Sequence, residues 1–255
     1  MLNWDSARQC HEKAKRFALA EDWAVAAQLW TQALEFWPDD PGFLYNRGRA
    51  LYEMGEMVEC IRDFTASLDK QPNNPEALNN RGIAYTQIDK LQEALDDFNN
   101  SLAKRPNHLR TLYNRAHERY LSHRLLEALA DYNAILSTSP NDAAVLSKRG
   151  KGLFLLSRYV EAAKDYTEVI KIRPIDYEAW NNRGISLNLL GRKKEALDDY
   201  NHSLDLYSDC EEALINRASI LSEMGLNEQL IFLLVAWDRL VVLLCRENYI
   251  GNKTG

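Results

Sequence analysis

The side chains best suited to covalent or metal chemistry are scattered through this chain without a workable spacing. The five histidines (His11, His108, His117, His123 and His202) form no metal-ligand pattern. Cys10, Cys60, Cys210 and Cys245 make no CxxC or CxH, so neither a zinc site nor a disulfide framework is expected. No GxGxxG, P-loop, HExxH, nucleophile elbow or kinase signature is present. Paired acids such as Asp96-Asp97 and Asp198-Asp199 recur along the chain, as scaffold positions do and a single active site does not. No catalysis, cofactor or metal is therefore expected. What remains is the reversible chemistry of amides and guanidinium groups. Asn46-Arg47, Asn80-Arg81, Asn114-Arg115, Lys148-Arg149, Asn182-Arg183 and Asn216-Arg217 each follow the last by 34 residues. A side-chain amide offers one acceptor and two donors, so it can grip a peptide backbone bidentately whatever side chains the partner carries.

The elements that must position these groups follow from the same period. Seven units run 7–40, 41–74, 75–108, 109–142, 143–176, 177–210 and 211–244, with an extension at 1–6 and a tail at 245–255. The eighth position of each unit is small: Ala14, Gly48, Gly82, Ala116, Gly150, Gly184, Ala218. The twentieth is small in six units (Ala26, Cys60, Ala94, Ala128, Ala162, Ala196), and the twenty-fourth is a ring in the same six (Trp30, Phe64, Phe98, Tyr132, Tyr166, Tyr200). Small residues at two fixed points let two antiparallel helices approach, and the ring fills the remaining gap. Each unit thus reads as helix A, a short turn often carrying Gly (Gly55, Gly191, Gly225), and helix B. Pro38, Pro72, Pro106, Pro140 and Pro174 close helix B, while Pro41 and Pro75 open helix A, where a missing N–H costs nothing.

Arginine holds the seventh position of six units, and aspartate the twenty-third of five (Asp63, Asp97, Asp131, Asp165, Asp199). The two columns vary together, since unit 1 has Lys13 and Leu29. Arg could meet the Asp of its own unit or of the preceding one, and the spacing allows both. Either way the columns read as a structural ladder of charge-assisted hydrogen bonds rather than a row of ligand-facing cations.

These columns resemble the tetratricopeptide repeat family, in particular its superhelical members, with an Asn-Arg-Gly motif in helix A (Asn46-Arg47-Gly48, Asn80-Arg81-Gly82, Asn182-Arg183-Gly184). The chain departs from the family at the seventh position, where a large aliphatic residue is usual. The resemblance implies an all-α fold, an α-solenoid of seven tandem units in a right-handed superhelix whose A helices line a concave surface. It implies a non-catalytic scaffold or adaptor for proteins or peptides. Superhelical members grip a peptide backbone with an asparagine ladder at the position of Asn46, Asn80, Asn114, Asn182 and Asn216, which Lys148 interrupts here. An alternative is that these amides only bond the neighbouring helix. Chaperone-binding members instead hold a terminal carboxylate with a two-carboxylate clamp, and no three consecutive units here supply its residues: unit 3 has Asn79 and Ile83, unit 5 has Ala144 and Lys148.

Positions two, five, six, nine and thirteen of helix A recur at three- and four-residue steps and should share the binding face. Its N-terminal and middle part offers Arg8, His11, Lys15, Arg49, Arg110, His117, Lys148 and Lys151, with Tyr45 and Tyr113 as flat contact surfaces. Its C-terminal part offers Glu178, Glu212 and Glu223, and Glu12, Glu53 and Glu76 are acidic exceptions among the cations. In a chain of net charge −6 that is a concentration of cations, and it points to an extended, partly acidic peptide. The same net charge argues against nucleic acid, which calls for clustered Lys and Arg.

The seventh unit loses its pattern in its second helix, where 230–245 is nearly all apolar. Asp238 and Arg239 split it into stretches too short for a membrane span. Leu230, Leu234, Trp237, Leu240 and Leu244 form either a closing cap or an interface for a partner or a second copy, which would make the chain an assembly subunit or homodimer. The first residues show no basic region followed by an apolar stretch, so no secretory signal is read and a cytoplasmic setting is expected.

Overall fold

A computed structural model describes residues 4–225. These residues form thirteen α-helices, and no strand occurs among them. The chain divides into two compact units, Met1–Arg124 and Leu125–Gly255. The first contains α1 (Trp4–Leu19), α2 (Trp23–Phe36), α3 (Pro41–Glu53), α4 (Met57–Lys70), α5 (Pro75–Gln87), α6 (Leu91–Lys104) and α7 (Leu109–Leu121). The second contains α8 (Leu125–Thr138), α9 (Ala143–Leu155), α10 (Tyr159–Ile172), α11 (Tyr177–Leu189), α12 (Lys193–Leu206) and α13 (Glu211–Glu223). Within each unit every helix packs on its neighbours in sequence, and α3 also touches α5, α5 touches α7 and α11 touches α13. The apolar run carrying Leu230, Leu234, Trp237, Leu240 and Leu244 lies outside the described residues.

Helix starts are written locally. Asp40, Asn74, Asp142 and Asp176 each turn a carboxylate or amide oxygen back onto first-turn N–H groups, at 2.8 Å for Phe43. Pro41 and Pro75 stand just after two of these caps. The end of helix A is the same in every repeat. Its fifteenth residue has φ between 56° and 83°: Glu21, Gly55, Asp89, His123, Ser157, Gly191 and Gly225. In the fifth repeat the Ser157 N–H donates to the Phe154 carbonyl and the Arg158 N–H to Leu153, the paired bonds that close a helix through a left-handed residue. Glycine marks this position in three repeats, and four others hold an ordinary side chain in the same strained conformation.

Packing follows the small and aromatic columns. A Cβ placed on Gly82 or Gly184 would lie 2.6 or 2.7 Å from a ring carbon of Phe98 or Tyr200, both of which are buried. Cys60 belongs to the same seam, and burial pushes its thiol up to about 12, so it serves as a small apolar residue rather than a nucleophile.

Candidate functional site

The conserved spacing of Arg and Asp is a scaffold feature, and the structure shows how it works. Arg47, Arg81, Arg149 and Arg183 each hold the Asp sixteen residues later, in their own repeat, through two parallel hydrogen bonds of 2.6–2.8 Å. The remaining nitrogen of the fork reaches back sixteen residues into the preceding repeat. Arg81 donates to Thr65 at 3.1 Å, Arg115 to Asn99 at 2.8 Å and Arg149 to Asn133 at 2.8 Å. Thr31, Thr65, Asn99, Asn133, Thr167 and Asn201 thus form a third column, at the twenty-fifth position. Sequence reading had missed this column, although a hydroxyl or amide in the same place in six repeats was the signal. Each guanidinium joins two repeats, and the ladder is internal to the scaffold.

The asparagines of the sixth position lie on the A-helix face and also work between helices. Asn80 donates to the Tyr45 hydroxyl at 3.0 Å, Asn114 to Asn79 Oδ1 at 3.0 Å and Asn216 to Asn181 Oδ1 at 3.2 Å. In each case a sixth-position amide holds the fifth-position residue of the preceding repeat. Asn46 instead donates to the carbonyl of Gly42 in its own helix at 2.7 Å. The fifth position, placed on the binding face by its spacing, proves buried where it is Asn: Asn79 and Asn181 are each 2 % exposed. Asn80, Asn114 and Asn216 each commit one N–H to stacking and retain further donor and acceptor capacity.

The basic residues divide into paired and unpaired groups. Lys15 pairs with Glu12 at 3.1 Å, and Lys151 reaches Glu178 at 3.6 Å. His11, grouped with the cations by its place in the repeat, accepts a hydrogen bond from the Trp30 indole at Nδ1 (3.0 Å) and packs on Phe43. Burial lowers its pKa, so it stands there as a neutral acceptor. Arg49 and Arg110 have no carboxylate within 4 Å among the described residues.

In the first unit α3, α5 and α7 bring Tyr45, Arg49, Asn80 and Arg110 around one cavity of about 150 Å³, which Tyr52, Glu53, Phe64 and Ile83 complete. Tyr113, Asn114 and His117 follow on α7, all partly exposed. In the second unit Lys148 and Lys151 lie on α9, Asn182 on α11 and Asn216 on α13. Lys151 and Asn182 line a second cavity, of about 550 Å³, with Tyr177, Glu178, Tyr207 and Glu212. Among the described residues no group of His, Cys, Asp and Glu is placed to hold a metal ion. No described helix is long and apolar enough to cross a membrane.

Two family models, each described as a tetratricopeptide repeat, match this chain, one at residues 75–108 and the other at 11–59 and 148–209. Together they take in more than half of the sequence. No curated protein matches it. Among solved structures it is similar to a tetratricopeptide repeat protein from Parabacteroides merdae, at 19 % identity and TM-score 0.68 over 92 % of this chain and 99 % of that one. It is similar to YrrB, described as a TPR protein with an unusual peptide-binding site, at 20 % identity and TM-score 0.68 over 74 % of this chain and 97 % of that one. The C-terminal part of a repeat protein from Cytophaga hutchinsonii superimposes with TM-score 0.79 at 12 % identity, over 91 % and 94 % of the two chains. At these identities the likeness is one of fold.

Proposed function

The chain belongs to the tetratricopeptide repeat family, a repeat scaffold for contacts between proteins, and on that premise we propose that it binds an extended, partly acidic peptide segment along the face of its A helices. The reading makes it a non-catalytic adaptor. The observation that carries it is the contrast between two sets of arginines. Those of the Arg/Asp ladder are held in bidentate pairs, whereas Arg49 and Arg110 stand on the A-helix face with no carboxylate within reach. A cation without an internal partner gains most from an anionic ligand.

The sixth-position amides support the same reading. Their bonds to the preceding helix hold them in one orientation, which lowers the entropic cost of gripping a peptide backbone. The similarity in fold to YrrB is consistent with a peptide ligand. The test is affinity capture on wild-type chain beside Arg49→Glu/Lys148→Glu/Lys151→Glu. Reversing three charges should abolish capture of an acidic partner, and raising the salt concentration should weaken capture by the wild type. A partner retained equally by both proteins would sink the proposal. Asn80→Ala/Asn114→Ala/Asn182→Ala, run in parallel, reports on the backbone grip.

A further inference from the structure

We propose that the cavity between α3, α5 and α7 is an anion seat that takes one internal Asp or Glu side chain of the bound peptide, with Arg49, Arg110 and the Tyr45 hydroxyl as its donors. This rests on the peptide-binding reading and names what the first unit selects.

Size is the first argument. At about 150 Å³ the cavity falls below the ~300–1,000 Å³ of sites that enclose a small-molecule ligand, so a single side chain fills it. Its floor is apolar, from Phe64 and Ile83, and its polar groups converge from three helices.

Donor bookkeeping is the second. Thr111 and Asn114 both donate to Asn79 Oδ1, at 2.9 and 3.0 Å, which leaves the Asn79 amide N–H to face Asn80. Asn79 donates to Asn80 Oδ1 at 3.2 Å, and Asn80 in turn donates to the Tyr45 oxygen at 3.0 Å. The Tyr45 hydroxyl is therefore already an acceptor on one side, and its own proton is left to donate into the cavity. Burial pushes its phenol up, so that proton stays in place at neutral pH. A partly buried row of amides thus presets a tyrosine as a donor beside two guanidinium groups.

Charge is the third. Arg49 and Arg110 line the same cavity as Tyr45. Glu53 also lines the cavity, but it takes no salt bridge to either arginine. Glu76 also acts on Tyr45 but is held by Arg105 at 2.6 Å, so the two cations outnumber Glu53, the carboxylate that lines the cavity, and Glu53 opposes the ligand. α1 lies before the cavity and Tyr113 and Asn114 follow on α7, so a segment crossing it has repeat surface on both sides. The seated residue accordingly belongs to the interior of the segment and not to its terminus.

The experiment is a selection of random peptides displayed on phage against the full chain, followed by calorimetry with one selected peptide made with an amidated C-terminus. The peptide with its acidic residue and its Ala counterpart are each titrated into wild type, Arg49→Gln, Arg110→Gln, Tyr45→Phe and Glu53→Gln. Selected sequences should share one Asp or Glu, and replacing it with Ala should weaken binding to wild type about tenfold. That penalty should shrink to about twofold in Arg49→Gln and Arg110→Gln, because the acid then has little left to pair with. Glu53→Gln should tighten binding of the acidic peptide. Arg49 and Arg110 are exposed, so both variants should keep the helical circular dichroism of the wild type. Selected peptides without a shared acid overturn the anion seat and leave peptide binding standing. So does an undiminished penalty in both arginine variants, or binding that follows phosphoserine or a free terminal carboxylate instead. A selection that yields no binder at all removes the peptide-binding reading, and the seat with it.

Discussion

Arg81 and Asp97 show what a paired charge contributes at the scale of one residue. Their side chains are 19 % and 5 % exposed, and burial pushes the Asp97 carboxyl up while the fork of Arg81 pulls it back. The net worth of such a pair is small, but breaking it leaves a charge with nowhere to go. Asp97→Ala should therefore cost about 3–5 kcal/mol in urea unfolding, whereas Arg81→Met/Asp97→Leu should fall within ~1 kcal/mol of wild type. A double variant as unstable as the single one would mean that the pair itself stabilises the stack. Glu118 is the opposite case. It is 1 % exposed, in a column that holds Ala50, Ala84, Gly152 and Ser186 in the second, third, fifth and sixth repeats, and only Oε2 has a partner, the Thr86 hydroxyl at 3.3 Å. Burial raises its pKa above the ordinary 4.5, so the folded state binds this proton more tightly than the unfolded one. Stability from Glu118 is present below pH 4.5 and is lost as pH rises through the elevated folded value. Glu118→Gln should thus melt at a higher temperature than wild type at pH 7, with the gap closing towards pH 4. A constant gap across that range would place the effect in packing instead.

Helices and their turns carry a different lesson. The left-handed residue between helices A and B is required in every repeat, and Glu21, Asp89, His123 and Ser157 adopt it despite their Cβ atoms. That conformation costs an L-residue ~1–2 kcal/mol, so Ser157→Gly should gain about 1 kcal/mol in thermal unfolding. Gly82→Ala should run the other way. The new Cβ would meet Phe98 at 2.6 Å, and an overpacking cost of ~1–3 kcal/mol outweighs the ~1 kcal/mol gained in helix propensity. The helix pairs themselves were legible from the 34-residue frame, because caps, prolines and the small and aromatic columns all act within one repeat. The shared turn was only half legible. Three glycines announced it, and the other four side chains give no sign of a positive φ.

At the scale of each whole unit, a helix packs mainly on its neighbours in sequence, so a local change has a local reach. Gly184→Ala should speed amide exchange in α10–α13 and leave α1–α4 at wild-type rates, and its cost should add to that of Gly82→Ala, which shares no partner with it. Faster exchange across the whole chain would instead report one cooperative unit. The exposed face of the A helices was readable in outline. The sixth-position amides and the unpaired Arg49 and Arg110 lie on the A helices where the spacing put them. The burial of Asn79 and Asn181, the neutral role of His11 and the cavity around Tyr45 were not readable.

The sequence alone determined the repeat, its helices and the recurring Arg and Asp columns. These depend on interactions within about one repeat, so a fixed period displays them. Only the tertiary structure decided that Arg47, Arg81, Arg149 and Arg183 each take the Asp of their own repeat while reaching back to Thr or Asn of the one before. It also decided that Tyr45, Arg49, Asn80 and Arg110 meet, since they come from three different repeats and their approach depends on how one helix pair rolls against the next.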